Sequence, residues 1–546
     1  MKTVTDIMNE AIKNVILKVK GKTRCVQKIA EIALEELNTQ IKLENEKSVV
    51  ISRVKRVYEL PEHVIAQLLI KLFLFCVLCR TQKLRSRSEC AVAFFETKGD
   101  KKGLYVTDMD EIVKKITEFN RSLSKPQIRQ VYDEILREAE VVYINHDPNL
   151  IPLNNGIFNY RNKKLMDYTR DKVFVSKFPV NYNPLRNTAP VYTNPDGTTW
   201  NVEDWLYSLS DDMETKNLLL QICGAIMRPN VAWEQILFLY SAVGRNGKGT
   251  FCVLLRELAG EGNYASISLK QMTQRFGLSQ LLDASAIITD ENSVQPGDII
   301  KDIENVKAIT TMDHIQLEQK YKNPIDFQFR GVIVQCLNSL PKFSDETSSM
   351  MRRMLFVDFP KTFTGCDNKA IKADYLHRED TLEYIVWRVL AGMPDYYEFS
   401  VPEASEELMA SYKLEANLVN QFWNEFRDQF TWVVYPGQLL YDLYKAWAIK
   451  DMAVRDVEGK NKFLQALRRV VDDDAEWEYK TDSIPNNGYF KTPELLIGEY
   501  DLKQWMHPGY MGSSMYIRCT PPMPKSISSP FMRRRCAMNP FYQSND

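Results

Sequence analysis

Apolar residues recur at two spacings along this chain, and the changes from one to the other divide it. Near the N-terminus Ile7, Met8, Ala11, Ile12, Val15, Ile16 and Val19 fall three or four apart and stop before Gly21, which predicts an amphipathic helix. The run 64–79 is apolar except for Gln67 and Lys71. It falls short of the roughly 20 residues a bilayer needs and predicts a buried helix. Between 90 and 184 short strand-like runs (91–95, 141–144, 156–160 and 173–175) alternate with helical stretches at 108–119 and 126–138, the pattern of a small α+β unit. Pro184, Pro190 and Pro195 mark 183–196 as a linker, and 200–228 is helical again.

From 236 onward the apolar runs become continuous, as in strands buried on both faces: 236–240, 286–289, 332–336 and a fourth just after Arg353. Within this series, 315–330 alternates on two arms (Ile315, Leu317; Ile325, Phe327, Phe329) around K-Y-K-N-P, which predicts a strand pair with a basic, aromatic tip. Lid helices are expected at 379–390 and 404–426. The chain then reads as a winged helix. Leu439, Leu440, Leu443, Tyr444 and Trp447 share one face, and 461–471 is a second helix with Phe463, Ala466, Leu467 and Val470 toward the core. Strands at 476–480 and 489–492, joined through P-N-N-G, form the wing. Beyond 508, Pro521, Pro522, Pro524 and the cluster Arg533 to Arg535 predict a flexible basic tail. The expected organisation is multidomain α/β: a helical region 1–85, an α+β domain 86–195, a P-loop core with central parallel sheet 196–400, lid and winged helix 401–505, and a tail 506–546.

Length agrees, since 546 residues at about 150 per domain make several domains. A net charge of −1 provides no global field for nucleic acid, so DNA contacts must come from local patches. The ten cysteines are scattered in a chain without a signal peptide, which favours a reduced cytoplasm. Cys76 and Cys79 form a C-x-x-C inside an apolar run with no second pair, the mark of core packing. The five histidines (His63, His146, His314, His377, His507) are far apart in sequence and suggest no metal site. Lys13, Lys18, Lys20, Lys22, Arg24 and Lys28 make the N-terminus basic, either as a solvated face or as a collar toward DNA or another subunit.

The chemistry concentrates at 236–250, I-L-F-L-Y-S-A-V-G-R-N-G-K-G-T. Strand, small-residue loop and helix N-terminus aim backbone N–H groups and the positive end of a helix dipole at one point, where a triphosphate sits. Gly244, Arg245, Asn246, Gly247, Lys248, Gly249 and Thr250 form the expected ATP site, with Lys248 reaching the β- and γ-phosphates. Ala242 and Gly249 depart from the usual G-x-x-x-x-G-K-[ST], so Thr250, one place late, becomes the candidate Mg²⁺ ligand. Asp290 and Glu291 close the strand 286–289, Asp290 to hold Mg²⁺ and Glu291 to act as general base on the attacking water. Asn338, after the strand 332–336, is placed to orient that water. Lys320, Tyr321 and Lys322 at the hairpin tip suit a phosphate backbone or a base. Arg352 and Arg353 suit an arginine finger offered to a neighbouring subunit. Lys460, Lys462, Gln465, Arg468 and Arg469 line the exposed side of the second helix of the winged helix, where a recognition helix meets DNA; Asp472 to Asp474 weaken that patch, and a protein-contact role for the module stays open.

These elements resemble, in order and spacing, superfamily 3 helicases within the AAA+ ATPases, in particular the D5/P4-type branch of phages, plasmids and staphylococcal mobile elements. The matching segments are N-G-K-G-T-F (246–251), T-D-E-N (289–292), L-E-Q-K-Y-K (317–322), L-N-S-L-P-K-F (337–343) and M-R-R-M (351–354), with I-P-L-N-N-G-I-F around Asn155 and Gly156 upstream. The resemblance implies a hexameric ring with Mg-ATP between subunits and a DNA strand in the channel. Lys320 and Tyr321 would contact that strand, Arg353 in particular would act in trans, and movement would run 3′ to 5′. Relatives often carry a primase or zinc module upstream. Nothing comparable precedes the helicase region here, so the expected protein is a replication initiator and helicase without its own primase, for which a separate primase is a candidate partner. Two other readings stay open: an origin-binding initiator that uses ATP only as an assembly switch, and a P-loop kinase.

Overall fold

The residues 236–239 are all apolar, and in the computed structural model none is exposed, because the strand Ile236–Tyr240 runs between two others. The structure describes residues 2–23, 25–47, 53–80, 86–292, 299–318, 324–343, 348–364, 368–416, 418–452 and 457–534. By its internal contacts the chain forms two compact units. The larger comprises 1–296, 300–339 and 353–402, and the smaller comprises 297–299, 340–352 and 403–546.

At the centre of the larger unit is a five-stranded sheet in the order Tyr264–Ala265, Ala286–Thr289, Val332–Leu337, Ile236–Tyr240, Met354–Asp358. All its pairings are parallel. Strands buried on both faces need covering on both. The helices Lys248–Ala259, Met213–Ile226 and Glu379–Leu390 contribute to the shared core, through Phe251, Leu255, Leu219, Ile222, Ile385 and Val389, each unexposed. The meander Leu150–Leu153, Gly156–Asn159, Lys164–Met166 joins this core through Ile151, Leu153 and Phe158.

Upstream, the helices Val4–Val19, Val26–Lys47 and Glu62–Leu72 share a second core with the helices Met109–Thr117 and Lys125–Glu138. Thr3 begins the first helix with a reciprocal capping box to Asp6, which satisfies an orphan N–H. The same core takes in a four-stranded sheet, through Phe75, Val77, Val92 and Phe94. The expected boundary at 85/86 therefore runs through a common core. The expected helix across 64–79 is two elements: it ends at Leu72, the chain turns through Leu74 in a left-handed conformation (φ 61°), and Phe75–Cys79 is a fully buried strand. The short run 75–79 is apolar at every position, which periodicity alone cannot assign to helix or strand.

In the smaller unit, the helices Leu418–Phe426, Gly437–Lys450 and Lys460–Asp472 pack on an antiparallel sheet ordered Val434–Pro436, Pro530–Arg533, Trp477–Tyr479. Two expectations change here. The segment 489–492 is not a strand; the partner of Trp477–Tyr479 is Pro530–Arg533, from the stretch read as a flexible tail. As far as Arg534, that stretch is built into the fold, with Phe531 unexposed and Ile527 at 1%. Arg535 and the residues after it lie outside the described set.

Candidate nucleotide site

Five parallel strands put their carboxyl ends on one edge, and an open α/β sheet binds ligands there. Register aligns Tyr240 with both Leu337 and Asp358, and Thr289 with Gln335. Ser241, Asn338 and Phe359, which follow these strand ends, therefore lie along one line, and Asp290 follows its strand level with Cys336, two residues short of it.

After Tyr240 the backbone folds back, with Ser241 N–H donating to the Leu337 carbonyl at 3.2 Å. It passes through left-handed conformations at Arg245 (φ 58°) and Gly247 (φ 87°) before entering the helix Lys248–Ala259. Gly247 has a second reason to lack a side chain, since a Cβ there would meet Leu209 Cδ2 at 2.6 Å. By contrast, a Cβ on Gly244 or Gly249 would meet nothing within 4 Å, so the open side of the loop has room for a ligand. Asn246, 5% exposed, braces the loop from inside: its amide donates to the Val243 carbonyl and accepts from Lys248 N–H at 3.4 Å.

Lys248 is 5% exposed, and its ammonium donates to the Ser241 carbonyl at 3.3 Å and to Asn338 Oδ1 at 3.0 Å. Burial pushes its pKa down; Cys336, Cys252 and Asp358 act against that. Two residues 90 apart, both singled out in the sequence, thus meet at the loop. Asp358 was missed. It ends the fourth strand, and burial raises its pKa while Phe359 N–H and Lys248 oppose the rise.

The segment T-D-E-N divides into distinct roles. Thr289, 3% exposed, donates to the Ile267 carbonyl at 2.9 Å. Asp290 receives both terminal nitrogens of Arg256 at 3.0 and 2.8 Å, and that pairing holds its carboxyl below the usual range. Arg256 lies on the helix Lys248–Ala259, so the expected Mg²⁺ ligand is already tied to the loop's own helix. Glu291 is exposed and makes no side-chain hydrogen bond among the described residues. Asn292 donates to the Cys336 carbonyl at 3.0 Å and accepts from Leu269 N–H at 3.1 Å, bracing the neighbouring strand. Thr250 is half-buried in the first turn of the loop helix. Buried Cys252 and Cys336 lie behind the loop with sulfurs 3.4 Å apart.

Of the arginine pair, Arg352 is exposed and Arg353 is 9% exposed, its carbonyl accepting from Ile236 N–H at 2.6 Å. An arginine offered to a neighbour must be exposed, so Arg352 replaces Arg353 as the better placed. The expected strand pair forms as His314–Leu317 and Ile325–Gln328, with Ile315 opposite Phe327 and Leu317 opposite Ile325. Its tip, with Lys320, Tyr321 and Lys322, lies outside the described residues. On the helix Lys460–Asp472, Lys460, Lys462, Gln465 and Arg469 are exposed. Arg468 is not: it lies over the Tyr479 ring at 4.2 Å, half-buried. The buried face is Phe463, Leu464, Leu467 and Val471, one position off the expected one toward its end.

Three family models match the chain. Residues 88–217 match "D5 N terminal like", 239–353 match a family of unknown function (DUF5906), and 414–506 match "Poxvirus D5 protein-like". The D5-type resemblance read from the motifs is borne out, with D5 models on both sides of the phosphate loop. Among solved structures, an A-form apo structure of the NrS-1 C-terminal region has a TM-score of 0.42 at 13% identity over 86% of this chain and 100% of that one. An apo structure of NrS-1 (305–718) scores 0.43 at 15% identity, over 80% of this chain and 89% of that one.

Proposed function

We propose that this D5-type chain is an ATP-dependent DNA helicase and replication initiator of a mobile genetic element, with an AAA+ core of the superfamily 3 kind and a winged helix in its smaller unit. The observation that carries the reading is the contact of Lys248 with Asn338 at 3.0 Å. The strand that Asn338 follows lies between the loop strand Ile236–Tyr240 and the strand that Asp290 and Glu291 follow, which supports a water-orienting role for Asn338 beside Lys248.

In this reading Gly244 to Thr250 cradle the triphosphate through backbone N–H groups, and Lys248 exchanges the Ser241 and Asn338 oxygens for phosphate oxygens. The open space at Gly244 and Gly249 and the helix N-terminus fit that group. Bound Mg²⁺ would offset phosphate charge, held by Thr250 and by Asp290 once Arg256 gives way. Glu291, unengaged, takes a proton from the attacking water, and Asn338 holds that water in line. Arg352 acts on the neighbouring subunit of a ring, a contribution of about 10³ to 10⁵ in rate where such fingers operate. Lys320, Tyr321 and Lys322 grip single-stranded DNA. In the smaller unit, three helices with strands in the order first, third, second support the winged-helix reading. Lys460, Lys462, Gln465 and Arg469 form its DNA-facing side, and the long segment between Tyr479 and Pro530 stands where a wing belongs.

The pairing of Asp290 with Arg256 favours a second reading, an initiator that uses ATP as an assembly switch and hydrolyses it slowly. One experiment separates them: hydrolysis with and without single-stranded DNA, beside strand displacement from a forked duplex, with Lys248→Ala as control. DNA-stimulated hydrolysis with displacement, both lost in the control, supports the helicase. Nucleotide-dependent assembly on duplex DNA without displacement supports the switch, and phosphate appearing on an acceptor would return the kinase.

A further inference from the structure

His63 is sequence-distant from every other histidine, yet the fold gives it metal-ligating company. The helices Glu62–Leu72 and Lys125–Glu138 pack side by side, through the unexposed Ile65 and Leu68 on one and Val131 and Ile135 on the other. Above that apolar contact, His63 and Gln67 stand one turn apart on the first helix, and Glu134 and Glu138 one turn apart on the second. His63 Nδ1 contacts Glu134 Oε1, and Gln67 Nε2 donates to Glu138 Oε2 at 2.5 Å. One ligand atom each from His63, Glu134 and Glu138 lies within 4.8 Å of the others.

Charge makes the cluster unusual. Glu134 is 5% exposed, and neither it nor Glu138 is paired with a lysine or arginine among the described residues. A buried carboxylate without a strong counter-charge is costly. One imidazole cannot balance two carboxylates, whereas a divalent ion balances both.

We propose that His63, Glu134 and Glu138 form a binding site for a Zn²⁺-class divalent cation that staples these two helices. An imidazole nitrogen with two carboxylates is a borderline donor set, suited to Zn²⁺ or Co²⁺ rather than to Ca²⁺. Glu138 is exposed, so the fourth position opens to water, while Gln67 orients the Glu138 carboxylate from behind. Spacing concealed this site: Glu134 and Glu138 share a helix, but His63 is 71 residues before Glu134.

The test uses the full chain, freed of metal by chelation and without nucleotide. Co²⁺ is added and followed by visible absorption, and Zn²⁺ is titrated by calorimetry and by its effect on Tm. The expected result is one ion per chain, a d–d band of a low-coordinate Co²⁺ site, and a Tm raised by several degrees at saturating Zn²⁺. His63→Ala should remove the band. Glu138→Gln, on an exposed side chain that folding does not need, should weaken Zn²⁺ binding about 10-fold or more. Absence of binding to the wild-type chain overturns the proposal, and so does undiminished binding by both variants, which would place the metal elsewhere.

Discussion

Gly247 shows how closely the proposed phosphate loop is fitted to its own protein. Its left-handed φ of 87° and the 2.6 Å approach of Leu209 Cδ2 are separate penalties for any side chain. Gly247→Ala is expected to cost about 1–3 kcal/mol, read by chemical denaturation, and to weaken nucleotide binding with it. Asn338→Ala should lower kcat about 10- to 100-fold with nucleotide affinity little changed, since in the proposed bound state Lys248 has left Asn338 for phosphate oxygens; stopped-time phosphate release and a nucleotide titration check the two halves. Arg256 holds the Asp290 carboxyl below its ordinary 3.8. A carboxyl whose folded pKa is depressed contributes stability above its unfolded pKa and loses it as pH falls through the lower folded value. In Arg256→Ala, Asp290 should titrate back toward 3.8 and this acid-side contribution should vanish, which carbon-13 NMR of the aspartate carboxyls measures. Lys248, Asn338 and Asp290 were legible as residues because the loop and strand ends are local motifs. The arginine on Asp290 was not, because a helical residue's reach depends on which strand its helix covers.

Among elements, the strand Pro530–Arg533 best shows where local reading stops. It is four residues long, begins with proline and carries a charge at its end, so nothing in it announces a strand. Its assignment comes from two partners, about 50 and 95 positions away in the chain, that leave a gap between them and hydrogen-bond to both its edges. Phe531→Ala should destabilise the smaller unit by about 3–5 kcal/mol, as for a buried aromatic, seen as an earlier melting transition in calorimetry. The neighbouring acids divide in a way composition could not convey. Asp474 turns inward to accept from Trp423 Nε1 at 2.8 Å and from Glu476 N–H at 2.8 Å, so of these three acids Asp472 and Asp473 stay exposed beside the helix Lys460–Asp472, while Glu458 pairs with Lys462 at 3.6 Å at its start. The parallel core, in contrast, was legible from its apolar runs and the residues ending them, since strands buried on both faces leave no other pattern.

For the whole molecule, no helix among the described residues is long and apolar enough to cross a membrane. The proposed ring makes a prediction that no single subunit can satisfy. Arg352→Ala retains a complete phosphate loop, and Lys248→Ala retains a complete finger. Each alone should hydrolyse ATP at least about 100-fold more slowly than wild type, and mixing them should restore part of the rate as mixed interfaces form, measured as phosphate release across mixing ratios. The way the chain is shared between its two units bears on how such proteins diversify. Residues 340–352 belong to the smaller unit although they lie between Asn338 and Arg353 in sequence. Tyr412 anchors that excursion by donating to the Pro341 carbonyl at 2.9 Å. A C-terminal unit received by recombination from another element would therefore arrive without part of its own packing, and the recipient would carry a loop shaped for a different partner.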